Sequence, residues 1–396
     1  MAAILENLAA DQFYTITESS QSDPGSAPNS STPPLFHRSA LFTSVRHEQD
    51  PGKDFRAQPL LPWDLSHLGP GIACGDVDGD GRVDFYLSGS PNQPGALLLS
   101  SHGFQPANLG APPGASQELA SLFFDADGNG TLDLYVAAAP AAPRTNALAA
   151  DSDRLYLNDG RGHFTAAPAG TLPEDRFSGG IVVAADFDRD DDLDLFVGGR
   201  FVPGQYPLTP RSRLLRNDHG KFTDVTDQLA PRLAQAGLVT SAIWSDVDDD
   251  GWPDLLVTTE WGPVRLFRNN HGRLEDRTRE AGLAERSGWW SSITAGDVNN
   301  DGAIDYVVGN FGLNTRYQPA ADRPVALFYA EFEPGTAPQI LEAEYTGDRW
   351  LPVRGKSDLE KVLPSLTAKF ASHHAFAAAT LPDLVSPRIL NQAFHV

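Results

Sequence analysis

Carboxylates recur at alternate positions in five nine-residue segments of the chain. The first segment, Asp76–Asp84, has aspartates at positions 1, 3, 5 and 9 and a glycine at position 6. Like charges this dense repel one another unless a cation binds between them. Ca²⁺ takes about six to eight oxygen ligands, and a tight loop with alternating acids and a backbone carbonyl at position 7 can supply them. We therefore predict up to five bound Ca²⁺ ions.

The segments are named acidic loops 1 to 5 and span residues 76–84, 125–133, 186–194, 246–254 and 297–305. The predicted metal ligands are the residues at positions 1, 3, 5, 7 and 9: Asp76, Asp78, Asp80, Arg82, Asp84, Asp125, Asp127, Asn129, Thr131, Asp133, Asp186, Asp188, Asp190, Asp192, Asp194, Asp246, Asp248, Asp250, Trp252, Asp254, Asp297, Asn299, Asp301, Ala303 and Asp305.

Three residues depart from the common loop pattern. Asn129 and Asn299 each replace a carboxylate, which keeps an oxygen ligand but lowers the charge, so we expect weaker calcium sites there. In acidic loop 3, Asp191 stands where the other loops have glycine. The turn then requires a strained backbone conformation, which aspartate tolerates better than most residues.

Short runs of apolar and β-branched residues flank every loop and are too short for helices. Each loop is therefore predicted to join two strands of a hairpin, whereas the EF-hand loop joins two helices. A second hairpin with Asn, Asp or Gly in its turn follows at 155–164, 214–222 and 266–274. Four short strands in about 50–60 residues are typical of one propeller blade.

The sequence thus predicts an all-β fold, a seven-bladed β-propeller with some degenerate blades. The clear repeats are 71–118, 119–179, 180–238, 239–290 and 291–326, followed by a degenerate repeat at 327–396. A capping box beginning at Ser357 predicts a helical insertion that runs to about Ala379 and is interrupted by Pro364. Residues 1–34, rich in Ser, Pro and Gly, are predicted to form a disordered tail before a propeller that spans 35–396.

Composition narrows the classes of function. The chain has a net charge of −22, which argues against nucleic-acid binding because that needs a basic face. It has one cysteine, Cys74, which we expect to be a small buried hydrophobe. No apolar stretch is long enough to span a membrane. Low-affinity calcium loops fill where calcium is plentiful, so we expect a secreted, periplasmic or cell-surface protein whose export signal is missing here.

Aromatic residues outside the loops supply candidate ligand contacts. Trp252, Trp261 and the pair Trp289–Trp290 could line a carbohydrate- or peptide-binding face, but strand packing between blades is the favoured interpretation. The Gly- and Asn-rich segment 309–316 contains Asn310, Asn314 and Arg316, in the kind of loop that often binds ligands. A structural turn is the favoured interpretation for that segment.

The acidic loops within repeated strand units resemble the FG-GAP/VCBS repeats of integrin α-chain propellers. Three further segments, 58–71, 309–315 and 357–379, resemble bacterial FG-GAP-like proteins that occur with ASPIC/UnbV domains, whose animal relatives include cartilage acidic protein. The resemblance covers roughly residues 35–396. It implies an extracytoplasmic calcium-binding propeller in which the loops are structural and a separate face binds ligand, with no established enzymatic activity.

The functional hypothesis is a calcium-stabilised binding or adhesion module for a protein or glycan partner. One alternative is a carbohydrate-active enzyme, a lyase or hydrolase with its site on the propeller face. Another is a scaffold for a missing C-terminal ASPIC/UnbV-type domain. An enzyme predicts a deep pocket with a convergent acid, base or nucleophile outside the loops, and a binding module predicts an exposed aromatic or polar face. We predict no catalytic residue and leave the oligomeric state open.

Overall fold

Each acidic loop joins two antiparallel strands in the computed structural model, as the sequence predicts. The structure describes residues 45–48, 54–110, 116–140, 152–174, 179–312, 314–320 and 322–396. The predicted N-terminal tail at 1–34 lies outside these residues. Strands dominate, helices are short, and the strands form antiparallel sheets, none of which closes on itself. No helix in the described part of the chain is long and apolar enough to cross a membrane.

The first three sheets have four strands each in sequence order. Repeat sheet 1 contains β1 (Ile72–Gly75), β2 (Asp84–Leu87), β3 (Ala96–Leu98) and β4 (Pro106–Ala107). Repeat sheet 2 contains β5 (Ser116–Phe124), β6 (Asp133–Pro140), β7 (Arg154–Asn158) and β8 (Phe164–Ala166). Repeat sheet 3 contains β9 (Gly179–Ala185), β10 (Asp194–Gly199), β11 (Arg213–Asp218) and β12 (Lys221–Asp224).

The fourth sheet is larger because two repeats share it. It contains β13 (Leu238–Ser245), β14 (Asp254–Gly262), β15 (Arg265–Asn269), β16 (Leu274–Asp276), β17 (Gly288–Gly296) and β18 (Asp305–Asn310). The end of β14 pairs with the start of β17 through Glu260 and Trp289, which joins the strands around acidic loop 5 to those around acidic loop 4. The seven-bladed arrangement predicted from the sequence is not confirmed.

The first strands of successive repeats lie side by side in the order β1, β5, β9, β13 and β17. Apolar side chains fill the spaces between repeat sheets 1 and 2, 2 and 3, and 3 and 4. Phe187 and Phe196, for example, are fully buried between the third and fourth sheets. Burying a side chain of this size contributes about 1.5–3 kcal/mol, so these contacts fix each sheet against the next.

An asparagine at the end of the third strand links neighbouring sheets in the same way at three places. Its side-chain amide donates to a carbonyl in the acidic loop of its own sheet and to the position 2 carbonyl of the preceding loop. Asn217 thus donates to Leu193 at 3.2 Å and to Ala126 at 2.9 Å. Asn158 and Asn269 make the equivalent bonds to the preceding loops, each at 2.8 Å.

The C-terminal part forms a separate small sheet with short helices. The sheet contains β19 (Val325–Ala330), β20 (Gln339–Thr346), β21 (Arg349–Pro352) and β22 (Phe394–His395), in the order β21-β20-β19-β22. Segment 58–71, which precedes repeat sheet 1 and is bracketed by prolines, is called the connector. The core of the C-terminal part also includes its residues Leu60, Leu61 and Leu65. Arg354 donates to the carbonyls of Leu60 and Leu61, each at 3.1 Å, which ties the connector to the end of the chain.

The predicted helical insertion differs in its start and in its extent. The helices are α1 (Asp54–Ala57), α2 (Thr226–Leu229), α3 (Lys356–Leu359), α4 (Leu366–Lys369), α5 (His373–Phe376), α6 (Leu381–Leu384) and α7 (Pro387–Gln392). Gly355, and not Ser357, occupies the N-cap of α3. The capping box belongs instead to Thr380 and Asp383 at the start of α6, so the helical region extends beyond Ala379.

The expectation that Cys74 is buried is wrong, because Cys74 is exposed. Successive side chains of a strand point to opposite faces. The neighbouring Ala73 is buried in the core between repeat sheets 1 and 2, which turns Cys74 and Ile72 outward. Ile72 is 63% exposed, which shows that this outer face of β1 is uncovered by the described residues.

Replacing Asn217 with alanine tests the link between sheets. The side chain is 1% exposed, and its loss leaves two buried carbonyls without their donor. We expect Asn217→Ala to lower the free energy of unfolding by about 2 kcal/mol or more, measured by urea denaturation. The control Asn270→Ala changes an exposed turn residue of the same type and should stay within about 0.5 kcal/mol of the wild type. Equal effects of the two changes would show that the amide does not hold the sheets together.

Candidate functional site

The five acidic loops share one pattern of hydrogen bonds. The carboxylate at position 1 accepts from the backbone N–H groups of positions 5 and 6 in every loop. The side-chain oxygen at position 5 accepts from the N–H of position 7, at 2.8–3.1 Å. These bonds wrap the backbone around the side chains at positions 1, 3 and 5.

Two residues of each loop have a positive φ angle, where the sequence analysis expected only one. Position 6 is in this conformation in all five loops, including Asp191 with φ 72° in acidic loop 3, so the predicted strained aspartate is confirmed. Position 4 is also left-handed, with glycine in loops 1 and 2 but Arg189, Asp249 and Asn300 in the others. Position 4 escaped prediction because only two of its five residues are glycine.

In acidic loops 1 to 4, the aspartate at position 9 is buried. Asp84, Asp133, Asp194 and Asp254 are at most 1% exposed. One carboxylate oxygen of each accepts from the N–H of position 2 in the same loop. The other accepts from a backbone N–H near the end of the third strand, at 2.6–2.8 Å. This side chain therefore closes the loop and fastens it to the sheet.

Burial raises the pKa of three of these carboxyl groups, those of Asp133, Asp194 and Asp254. It raises the pKa of Asp194 to about 8 and that of Asp133 to about 6. Hydrogen bonds from backbone N–H groups oppose the shift, and nearby loop carboxylates add to it. A cation bound beside such a carboxyl would favour its ionised form.

In each of four loops, the structure brings several carboxylate side chains close enough together to bind one ion. Oxygen atoms of Asp76, Asp78 and Asp84 lie within 4.8 Å of one another. The equivalent positions 1, 3 and 9 cluster in loops 2 and 3, and positions 1, 3 and 5 cluster in loop 4. In loop 3, Oδ1 of Asp188 is buried and has no hydrogen-bond partner among the described residues. Such oxygen-only clusters suit Ca²⁺.

Loops 4 and 5 differ from this arrangement. In loop 4, Arg268 forms ion pairs with Asp248 and Asp250, so a cationic side chain already neutralises part of that cluster. In loop 5, the amide nitrogen of Asn299 donates to Asp301 at 3.0 Å. The metal-ligand assignments at these and the other predicted positions remain predictions.

Adjacent loops also contact each other. Arg189 of acidic loop 3 donates to the Gly251 carbonyl of acidic loop 4 and stacks over the ring of Trp252, 4.9 Å from its centroid. Trp252 also contacts His271, with ring centroids 5.0 Å apart. Trp252 therefore belongs to the loop end of the molecule and is separated from the other tryptophans proposed as a binding face.

Trp63, Trp261 and Trp289 meet at the opposite end of the strands. Trp261 and Trp289 stack with centroids 5.6 Å apart, and Trp63 meets the edge of Trp289 at 5.6 Å. Phe311 and Tyr317 complete this aromatic cluster. The loops follow the ends of the first strands, whereas Trp289 and Phe311 lie at the start of β17 and just after β18.

A pocket of about 280 Å³ opens beside the aromatic cluster; we call it the aromatic pocket. Its described lining comes from the connector, from four first strands and from the residues that directly follow β10 and β18: Trp63, His67, Leu68, Leu119, Gly180, Arg200, Thr240, Trp289, Trp290, Ser291 and Phe311. The sequence analysis missed Trp63 and Arg200, because they lie far apart in the chain and neither stands in a motif. The proline-bracketed connector at 58–71 was the signal that could have suggested Trp63.

Buried hydrogen bonds fix Arg200 at the pocket. Its Nη2 donates to Glu260 at 2.7 Å, and Glu260 also accepts from the Tyr206 hydroxyl at 2.6 Å. Burial, followed by the nearby Glu260 carboxylate, raises the pKa of Tyr206 well above its usual range. Tyr206 thus keeps its proton and acts as the donor to Glu260.

The segment at 309–316 contributes a turn. Asn310 accepts from the Gly312 N–H at 2.6 Å, and the Asn314 N–H donates to the Phe311 carbonyl at 3.0 Å. These bonds agree with the structural interpretation favoured for this segment. Its contribution to the aromatic pocket is Phe311.

Repeated antiparallel sheets, each with an acidic hairpin loop, define a repeat-based β protein. The chain belongs to the FG-GAP-like repeat family, whose model matches residues 56–136, 142–197 and 246–308. The predicted resemblance to FG-GAP repeats is thereby confirmed. No curated protein matches the chain.

Two solved structures are similar over much of the chain. A candidate exo-beta-1,3-galactanase from Bifidobacterium bifidum s17 has 10% identity and a TM-score of 0.32, over 72% of this chain and 91% of that one. The V. cholerae biofilm matrix protein Bap1 has 10% identity and a TM-score of 0.30, over 73% of this chain and 48% of that one. The chain thus spans about half the length of Bap1. Similarity at this level supports no conclusion about function.

Proposed function

We propose that this chain is a calcium-stabilised β-propeller that binds a protein or glycan partner outside the cytoplasm. The observation that carries the proposal is the separation of two features. Acidic loops lie at one end of the strands, and the aromatic pocket lies at the other. The loops hold the sheets, and the pocket is free to contact a partner.

The propeller assignment is supported by the order of the first strands. These strands lie next to one another in sequence order, and each of the first three starts a four-stranded antiparallel sheet. This is the arrangement of blades around an axis. In this proposal, repeat sheets 1 to 3 and the two repeats in the fourth sheet are five blades.

Calcium is supported by the chemistry of the loops. Their potential ligands are hard oxygens on a tightly turned backbone, which Ca²⁺ prefers. Burial of position 9 and the unpartnered Oδ1 of Asp188 both leave negative charge poorly compensated. A structural role follows, because the same loops carry the Asn-mediated links between sheets. A calcium-rich environment outside the cytoplasm would keep such loops filled.

Binding is favoured over glycoside hydrolysis by the residues around the aromatic pocket. Glycoside hydrolysis usually needs a pair of carboxyl groups, one of them with a raised pKa. The described lining of the aromatic pocket contains no Asp or Glu. Its aromatic side chains and hydroxyl groups suit recognition of a ligand without covalent chemistry.

A larger hollow of about 770 Å³ does contain carboxylates, but they are held in ion pairs. Hydrogen bonds from Asn270 and Arg277 lower the pKa of Glu275. Burial alone would raise the pKa of Asp276, yet hydrogen bonds from Thr278 and Arg265 lower it. Neither group suits the role of a general acid near neutral pH.

The calcium role is tested on Asp188. Without calcium, Asp188→Asn should be at least as stable as the wild type, because it removes repulsion within acidic loop 3. With calcium at 100 times the dissociation constant, each filled loop should add about 2.7 kcal/mol to the free energy of unfolding. The variant should lack the contribution of acidic loop 3. Thermal melting with chelator and with added Ca²⁺ measures both, together with a count of bound ions.

Asp322→Asn is the matched control, since it makes the same charge change at an exposed residue outside the loops. Added Ca²⁺ should raise the melting temperature of this variant as much as it raises that of the wild type. A melting temperature of the wild type that does not change between chelator and Ca²⁺ would contradict the proposal.

The binding role is tested by probing glycan and protein arrays with the labelled chain, with and without calcium. We expect capture of a defined ligand class that requires the folded, calcium-loaded protein. Trp289→Phe, in the aromatic cluster, should weaken capture, whereas Trp350→Phe, in β21 of the C-terminal sheet, should not. Capture lost equally in both variants would place the binding surface elsewhere, and an absence of ligand on either array would argue against a binding module.

A further inference from the structure

We propose that the aromatic pocket holds one acidic sugar residue, with its ring against the indole side chains and its carboxylate at the Arg200 guanidinium. The inference rests on the proposed binding role and goes further, because it names the ligand class and the contacts. It uses three observations: unpartnered donors, an aromatic wall and a guanidinium fixed in place.

Unpartnered hydrogen-bond donors converge on the lining of one pocket. Nη1 of Arg200 is buried and has no partner among the described residues, and the same holds for Nε1 of Trp63 and of Trp289. The Arg200 side chain is 6% exposed. A buried donor without a partner costs about 1–3 kcal/mol, and all three line the aromatic pocket.

The unpartnered groups are all donors, which specifies the complementary ligand. Indole N–H and guanidinium groups donate and cannot accept. A carboxylate is an acceptor-only group, and arginine recognises it with good geometry. A ligand that brings a carboxylate to Arg200 would therefore satisfy hydrogen-bond donors that the folded chain leaves without a partner.

The local structure holds the Arg200 side chain in its position. Glu260 fixes Nη2, which leaves Nη1 free. Arg200 also lies over the ring of Trp63, 5.2 Å from its centroid. Gly180 makes room for it, because a Cβ at that residue would lie 2.3 Å from Cβ of Arg200. The guanidinium is thus preorganised, and binding does not have to order it.

The remaining lining suits a single sugar ring. Trp63, Trp289 and Phe311 supply apolar aromatic surface, and Thr240 and Ser291 supply hydroxyl groups. A volume of about 280 Å³ lies just below the roughly 300–1,000 Å³ that holds drug-sized ligands. One pyranose ring with its carboxylate fits this size, while the rest of a longer glycan would extend outside.

The experiment compares glucuronic acid, galacturonic acid and glucose as probes of the calcium-loaded full chain. Binding is measured by calorimetry and by tryptophan fluorescence. We expect saturable binding of at least one uronic acid, and at least about tenfold weaker binding of glucose, because glucose lacks the charged acceptor. Equal binding of glucose would overturn the role of the carboxylate. No saturable binding of either uronic acid at tens of millimolar would overturn the proposal.

Two variants separate the named contacts from general effects on folding. Arg200→Lys keeps the positive charge opposite Glu260 but removes the second donor edge, and it should weaken uronate binding about tenfold. Trp63→Phe keeps an aromatic ring but removes the indole N–H, and it should weaken binding severalfold. Trp350→Phe in β21 of the C-terminal sheet, outside the acidic loops and the aromatic pocket, is the control and should bind as the wild type does. Melting temperatures identify any variant that has unfolded.

The outcome is distinguishable from failure of the proposed function. If the arrays capture a ligand but Arg200→Lys and Trp63→Phe retain that capture, and uronic acids do not bind, the chain is a binding module that uses another surface. Wild-type affinity for uronates in both variants would likewise reject the assignment of the aromatic pocket.

Discussion

The buried aspartate at position 9 is the interaction on which the repeat depends. As the first residue of the second strand, it pairs in register with the last residue of the first strand. Its two oxygens accept backbone N–H groups from the loop and from the third strand. One carboxyl group therefore sets the width of the hairpin and the position of the next strand. Burying this carboxyl group near other acids costs free energy of folding. The cost grows with every further carboxylate in the loop.

The asparagine at the end of the third strand extends this local constraint from one sheet to the next. Its N–H contacts the position 9 aspartate of its own sheet, and its amide contacts the preceding loop. A change in the conformation of one loop thus alters the position 2 carbonyl that the next sheet requires. An ion bound in a loop would therefore influence the packing between sheets through Asn158, Asn217 and Asn269. This coupling explains how a bound ion would stabilise more than its own hairpin.

Sequence patterns predicted the local structure well because its causes are local. Alternating acids, a positive-φ residue at position 6 and flanking β-rich runs identified the hairpins, and loop 3 shows the expected strained Asp191. The aromatic pocket could not be predicted in the same way. Trp63, Arg200 and Trp289 come from different parts of the chain, and only the packing of the first strands brings them together. Cys74 was misjudged because an apolar run does not reveal which of its two faces is covered.

A chain with a net charge of −22 would be expected to repel an acidic ligand. The distance between the aromatic pocket and the acidic loops removes this objection. In repeat sheet 3, Gly180 lines the aromatic pocket, while acidic loop 3 begins at Asp186 at the other end of the same strand. Six residues of extended chain separate the two by roughly 20 Å. Electrostatic interactions through solvent decay over about 8 Å at physiological ionic strength, so the loop carboxylates would be largely screened at the pocket. The charge that a ligand meets there is set mainly by Arg200 and its partner Glu260, and the unshared donor edge of Arg200 is what a carboxylate would contact.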